Sequence, residues 1–392
     1  MIIYYIIFGL TIILAMIDMY KPIAGKQGEK VFWFTIILIA LFKGLRWDTG
    51  TDFPQYYACF ENVTWSNFYH FERYGFGSDL MEPGYTFLNV LSKTIIDDYT
   101  IFLLWTNLAI MWVYGKTILT YVPQYKFSCL ALVLISTILF PVRQTFAVAT
   151  LLFSLRYIIT KNLKKYLFCV LIAFSFHRSA IFLIFMYPIL ISKFNYKRNI
   201  IIYIALILSS NYMYSAFDYL KNSPLNAVMG GIMDEYDATN INNIENETDK
   251  NNNILTYLSS IFQLSLYYFG YHKMRLEKNG NIDFRFYNIM LNAYFLNLCF
   301  WAISFIPGFG SMNRMPAYFE FGYPFCITLT MIYFRKINKE VVALLIFMCT
   351  FSLKYQALNL QDAIGERGVN IFVPYKSFLH RGEPMRSGNW VY

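Results

Sequence analysis

The sequence predicts an all-α polytopic membrane protein with about 12 transmembrane or re-entrant helices. The chain of 392 residues is 57% hydrophobic and only 15% charged, with a mean hydropathy of +0.40, whereas a soluble domain is roughly one quarter charged. Apolar runs recur from one end to the other, and every second connection between them is basic. Together these observations indicate repeated crossing of a lipid bilayer.

Each apolar segment is interpreted as one helix. The first segment has no basic residues before its apolar run and no small-residue cleavage site, so we interpret it as a retained helix and not as a signal peptide. The segments run approximately over residues 1–17, 31–45, 100–115, 127–141, 144–160, 165–177, 179–192, 199–216, 254–271, 286–305, 316–334 and 340–353.

The basic connections predict the orientation of the chain. Lys and Arg favour cytoplasmic loops, and the basic connections follow the first, third, fifth, seventh, ninth and eleventh segments. The prediction is therefore a single integral membrane domain, residues 1–392. Its extracytoplasmic parts are two long loops, 46–99 and 217–253, and the tail 354–392.

Composition excludes several other classes of protein. The formal net charge is +9, but the basic residues are spread between hydrophobic spans and form no single stripe, so no nucleic-acid partner is expected. The six cysteines include no Cys-x-x-Cys pair, which argues against a disulfide framework and against a zinc site.

The first long loop carries several candidate site residues. Arg46 ends the second apolar segment, and Asp52 precedes a Phe-Pro pair, which is the position of a helix N-cap. In such a helix Asp52 and Tyr56 lie near one face. Glu82 follows in the same loop, while Asp48 is interpreted as a surface acid.

Further candidates lie at the outward ends of later segments. Arg143 is at the apex of one apolar hairpin, His177 and Arg178 are at the apex of the next, and Arg314 lies in a later connection. A charge beside apolar sequence is costly and is usually functional. The competing interpretation is a snorkelling cation for Arg178 and a solvated loop residue for Arg314.

These residue types fit an anionic ligand with several charges. Guanidinium groups bind phosphate oxygens in pairs, and a carboxylate or an imidazole can accept a proton from an attacking hydroxyl. No Asp-x-Asp motif or His-carboxylate cluster is present, so neither a metal nor a cofactor is expected. The predicted set for diphosphate and substrate is Arg46, Tyr56, Arg143, Arg178 and Arg314. The candidate bases, between which the sequence does not choose, are His177, Asp52 and Glu82.

Several short motifs occur in a characteristic order over about residues 45–315. They are Arg46-Trp-Asp-Thr-Gly-Thr-Asp52-Phe-Pro-Gln-Tyr56, Glu82-Pro-Gly-Tyr85, Arg143-Gln144, Phe176-His177-Arg178-Ser179-Ala180 and Asn313-Arg314. In these motifs the chain resembles the EpsG family of Wzy-type exopolysaccharide and O-antigen polymerases. No single motif is specific, and the resemblance depends on their order and outward placement.

The resemblance implies a GT-C-like membrane glycosyltransferase at the outer face of the bacterial cytoplasmic (inner) membrane. It implies that a growing glycan moves from undecaprenyl diphosphate to the non-reducing-end hydroxyl of an incoming undecaprenyl-diphosphate-linked repeat unit, with Glu82 binding sugar hydroxyls. The implied partners are these lipid-linked glycans, membrane lipids and a chain-length regulator protein.

Two other functions remain open at this point. A flippase or transporter of the same glycans needs access from both sides, so charged residues should line both halves of the bundle. An O-antigen ligase or acyltransferase would use a different acceptor, which for a ligase is the lipid A core.

Overall fold

The protein is represented by a computed structural model whose described residues are almost entirely helical. Within the described ranges there are two isolated β-bridges and no β-strand. The structure describes residues 2–21, 23, 25–50, 53–72, 80–136, 140, 143–221, 248–278, 280, 282–304, 314–337, 339–340, 342–344, 346–348, 372–383 and 385.

The chain divides into two compact units. The first comprises Met1–Phe185 and Ile337–Tyr392, and the second comprises Met186–Lys336. The helices that begin in the first unit are α1 (Ile2–Tyr20), α2 (Gly25–Gly44), α3 (Phe53–Asn62), α4 (Pro83–Ile95), α5 (Tyr99–Tyr121), α6 (Lys126–Ser136), α7 (Arg143–Ile159), α8 (Leu163–Phe176) and α9 (Leu183–Ile191). The helices of the second unit are α10 (Tyr196–Lys221), α11 (Thr248–Leu276), α12 (Phe284–Ser304), α13 (Pro316–Phe319) and α14 (Gly322–Lys336).

Close approach of α2 to α5 organises the first unit. A Cβ atom at Gly44 would lie 2.6 Å from the Cα atom of Leu104, so only glycine fits at this crossing. Toward the other end of the contact, a Cβ atom at Gly115 would lie 2.9 Å from the ring of Trp33. The crossing holds the C-terminal end of α2 against the beginning of α5.

Asparagine side chains stabilise the second unit near Pro188, which lies inside α9 and has no N–H to donate. The side-chain amide of Asn292 donates to the carbonyl groups of Leu190 and Ser192 at 3.1 and 2.8 Å, and that of Asn288 donates to Ser192 at 2.7 Å. These bonds satisfy carbonyl groups at the end of α9 that would otherwise be left without a donor.

The first eleven predicted apolar segments all coincide with helices. Among the residues that the structure describes, three helical stretches are long and apolar enough to cross a membrane: Ile2–Tyr20, Tyr99–Tyr121 and Phe284–Ile303. Others are short; α6 has 11 residues, or about 16 Å at 1.5 Å per residue, against a hydrocarbon core of about 30 Å. The number of spans and the GT-C-like fold therefore stay predictions.

Two predicted loops differ from the structure. Helix α10 continues to Lys221 and α11 begins at Thr248, so both ends of the loop predicted at 217–253 are helical; residues 222–247 lie outside the described residues. The loop predicted at 46–99 contains α3 and α4. Helices α3 and α4 are both shorter than a membrane-spanning run, so hydropathy does not indicate them.

Candidate active site

A buried ion pair lies in the first unit. Nη1 of Arg143, the first residue of α7, donates to Oε2 of Glu82, and Nε of the same guanidinium donates to the hydroxyl of Tyr56 in α3 at 3.1 Å. All three residues are buried, with 4 to 5% of their surface exposed. The structure thus brings together three residues that are separated by up to 87 positions in the sequence.

The Glu-Pro-Gly sequence explains the position of Glu82. Pro83 starts α4, where its missing N–H costs nothing. A Cβ atom at Gly84 would lie 2.3 Å from Oγ and 2.7 Å from the carbonyl oxygen of Ser175, so α4 can pack on the end of α8 only with glycine there. This packing carries the carboxylate of Glu82 to the turn that follows α8.

That turn contains His177 and Arg178. The backbone N–H of Arg178 donates to Oε1 of Glu82 at 3.3 Å, and its exposed guanidinium donates to the carbonyl of Leu80 at 2.8 Å. His177 is buried in an extended backbone conformation, and its Nδ1 atom is 2.7 Å from Oγ of Ser179. The two oxygens of Glu82 therefore join α7 to this turn.

Arg46 lies just beyond α2, with only 2% of its surface exposed. Its guanidinium packs over the ring of Phe140 at 4.9 Å, and its Nε atom has no hydrogen-bond partner in the part of the chain that the structure describes. The Tyr56 hydroxyl, which accepts from Arg143, also lies near Arg46. Tyr56 is thus a neighbour of both arginines.

The other two predicted site residues are Asp52 and Arg314. Asp52 lies outside the described residues, although a helix does begin at the next residue, Phe53, as its sequence predicts. Arg314 belongs to the second unit, where it is exposed two residues before α13.

The C-terminal tail supplies contacts that the sequence did not indicate. The backbone N–H of Trp47 donates to the carbonyl of Lys376 at 2.8 Å, and that of Phe378 donates to Leu45 at 2.9 Å. Nζ of Lys376 is 3.8 Å from the carboxylate of Asp48. The prediction that Asp48 is a surface acid was wrong: it is 5% exposed, because the tail covers it.

A further ion pair joins the C-terminal tail to the residue that precedes α5. The guanidinium of Arg381 donates to both oxygens of Asp98 at 2.5 and 2.7 Å and lies over the ring of Trp47. Asp98 also caps α5 by accepting from the N–H groups of Thr100 and Ile101. The bonds from Arg381, together with these N–H groups, hold the pKa of Asp98 below its usual range.

A family model matches residues 29–377, nearly the whole chain, and its description is the EpsG family. The chain belongs to the EpsG family. The match extends from α2 to the tail contact at Lys376 and includes every predicted site residue. No curated protein and no solved structure is significantly similar to the chain.

EpsG is a Wzy-type polysaccharide polymerase-like family. Membership points to a membrane protein of polysaccharide biosynthesis with a glycosyltransferase-like role. The buried cluster of this EpsG-family protein has the groups that such a role requires, which are cations for an anionic leaving group and a histidine and carboxylate able to exchange protons.

Proposed function

We propose that this EpsG-family protein polymerises lipid-linked oligosaccharide repeat units at the outer face of the bacterial cytoplasmic membrane. The observation that carries the proposal is the buried Arg143, held between Glu82 and Tyr56 beside the His177 turn. Charged groups buried among apolar helices are costly and are usually retained for function.

In the proposed reaction both substrates are glycans linked to undecaprenyl diphosphate. The non-reducing-end hydroxyl of the incoming unit attacks the anomeric carbon of the growing chain. A new glycosidic bond forms, the bond from that carbon to the diphosphate oxygen breaks, and the hydroxyl proton passes to a base. Undecaprenyl diphosphate leaves with the bonding electrons, so no nucleotide sugar and no membrane gradient is consumed.

Arginines are the proposed ligands of the leaving diphosphate. Arg143 and Arg178 would bind it, with assistance from Arg46, because guanidinium groups stabilise negative charge that develops on phosphate oxygens. The carboxylate of Glu82 pairs with Arg143. A phosphate that replaces Glu82 on Arg143 would release this carboxylate to bind sugar hydroxyls.

His177 is the base that we favour over Asp52 and Glu82. Its Nδ1 atom is bonded to Ser179, and the direction of that bond sets the tautomer. If the Nδ1–H group donates to Ser179, the Nε2 atom carries the lone pair that can accept a proton from the attacking hydroxyl. Glu82 is engaged by Arg143 and by the N–H of Arg178, which leaves it less available.

Reconstitution tests the function. Purified protein in liposomes, supplied only with a single undecaprenyl-diphosphate-linked repeat unit and a chelator, should produce a ladder of longer glycans. Arg143→Gln should abolish the ladder, and Arg143→Lys should restore little of it because lysine lacks the planar fork that reaches two acceptors. The same change at Arg285, an exposed arginine, should leave the ladder intact.

The competing transporter function makes a different prediction. A flippase would move the lipid-linked unit across the liposome membrane and would never lengthen it. Well-folded protein that translocates the unit and yields no product longer than one repeat would refute the polymerase. Equal ladders from wild-type and Arg143→Gln protein would remove Arg143 from the site.

A further inference from the structure

Two buried cations lie close together at the end of α2. Lys43 is in the last turn of the helix, and Arg46 lies two residues beyond the end of the helix. Only 9% of Lys43 and 2% of Arg46 is exposed. Their positive charges act on each other.

Neither cation has an acidic partner among the described residues. No ion pair or side-chain hydrogen bond joins Lys43 or Arg46 to that part of the chain. The neighbouring carboxylates are committed elsewhere, since Glu82 pairs with Arg143 and Asp48 faces Lys376. A buried charge without compensation is costly, so a ligand that brings negative charge would relieve this arrangement.

Two tyrosine hydroxyl groups lie near these cations. The hydroxyls of Tyr85 and Tyr99 are buried, approach each other without forming a well-aligned hydrogen bond, and lie near Arg46. Native proteins leave few buried polar groups unsatisfied, and those that remain call for an explanation. Two cations without an acidic partner among the described residues, and two buried hydroxyls without a well-aligned hydrogen bond, have the composition of an anion site.

Aromatic rings enclose these groups on one side. Tyr375 stacks on Phe42 with ring centroids 5.1 Å apart and donates its hydroxyl to the Phe42 carbonyl at 2.7 Å. Phe42 in turn contacts Phe140, over which Arg46 lies. Apolar surroundings lower the local dielectric and strengthen the attraction between the cations and an anion.

We propose that Lys43 and Arg46, with the hydroxyl groups of Tyr85 and Tyr99, form a buried site for a phosphate group of the lipid carrier. The inference rests on the proposed function, in which Arg46 already assists in binding diphosphate, and it extends that site with Lys43, Tyr85 and Tyr99. Arg143 is already neutralised by Glu82, so Lys43 and Arg46 supply uncompensated positive charge.

Binding to the full-length protein in detergent tests the site with three probes: undecaprenyl diphosphate, undecaprenol and inorganic pyrophosphate. Lys43→Gln should weaken the binding of undecaprenyl diphosphate about 10- to 100-fold, the range for losing a hydrogen bond to a charged group. Undecaprenol, which lacks phosphate, should bind equally to both proteins. Pyrophosphate that binds as tightly as the lipid would overturn the assignment to a lipid carrier.

Lys126→Gln is a matched control, because Lys126 is also buried but its Nζ atom already donates to the Ile23 carbonyl at 2.5 Å. It should lower thermal stability and leave lipid affinity unchanged. Lys43→Gln should not lower the stability of ligand-free protein, since it removes an uncompensated charge. Lys43→Arg keeps the charge and should restore affinity to within about threefold.

The outcomes separate this inference from the proposed function. If Lys43→Gln binds undecaprenyl diphosphate as wild type does while wild type makes glycan ladders, the site is refuted and the function stands. If binding depends on Lys43 but wild-type protein never makes a ladder, the phosphate site is supported and the polymerase is refuted. A less stable Lys43→Gln protein whose affinity Lys43→Arg does not restore would assign Lys43 a structural role and overturn the site.

Discussion

Removing one partner of the Arg143–Glu82 ion pair should destabilise the protein more than removing both. The pair is buried and each partner has one further bond: Arg143 donates to Tyr56 at 3.1 Å, and Glu82 accepts from the N–H of Arg178 at 3.3 Å. These bonds alone do not compensate a full buried charge. The test is a double-mutant cycle of Glu82→Gln, Arg143→Gln and the double variant.

The expected magnitudes follow from burial. Loss of one partner of a buried ion pair costs about 3–5 kcal/mol, because the remaining charge is left uncompensated. Glu82→Gln should lie near 3 kcal/mol, since the glutamine carbonyl still accepts a hydrogen bond and Arg143 keeps Tyr56. Arg143→Gln should lie higher in the range, because the longer bond from Arg178 is all that supports the carboxylate. The double variant should fall within about 2 kcal/mol of wild type, as neutral replacements of buried pairs do.

Unfolding in mixed micelles with increasing denaturing detergent measures these free energies. The matched control is Glu277→Gln in the second unit, whose carboxylate pairs with Lys336 at 2.6 Å but with both side chains at least 39% exposed. That variant should cost at most about 1 kcal/mol. Additive effects of the two single variants at the buried pair, or costs as small as the control, would refute the argument that burial makes this pair strong.

Three further predictions concern orientation, the tail and the base. A single cysteine near residue 380 should react with an impermeant reagent in intact cells and one near residue 163 should not, because basic connections stay in the cytoplasm. Because Arg381 lowers the pKa of Asp98, the pair should stabilise the tail fully above about pH 4, the ordinary aspartate range, and lose this contribution as the pH falls through the lowered pKa. Protease cleavage of the tail should therefore increase only in strong acid. The Asp98→Asn variant should increase the cleavage modestly at neutral pH. His177→Ala should slow polymerisation by roughly 10²–10⁴-fold with little change in substrate binding, and an unchanged rate would transfer the role of base to another residue.

The sequence predicted the helices well because most of them correspond to a continuous run of apolar residues, which is visible without any knowledge of packing. Eleven of the predicted segments coincide with helices. The two helices inside the first long loop were not counted as segments, since α3 has 10 residues and α4 has 13 and neither could cross a membrane. Their positions depend on packing, such as that of Gly84 on Ser175, which no periodicity reveals.

The sequence identified Glu82, Arg143 and His177 as candidate site residues but did not predict how they pair. Charge beside apolar sequence identified Arg143 and His177, and both are buried. That Glu82 is the partner of Arg143 depends on contacts between residues 61 positions apart, which the sequence does not encode locally. The burial of Asp48 was missed because it is caused by Lys376, more than three hundred residues away.

The most direct test of the polymerase is its stoichiometry. Purified protein with one defined undecaprenyl-diphosphate-linked repeat unit should release one undecaprenyl diphosphate for each glycosidic bond that it forms, counted together by mass spectrometry. The ratio should hold at one in the presence of a chelator, and both products should disappear in Arg143→Gln. Release of undecaprenyl diphosphate without new glycosidic bonds, or lengthened glycans without its release, would contradict the account.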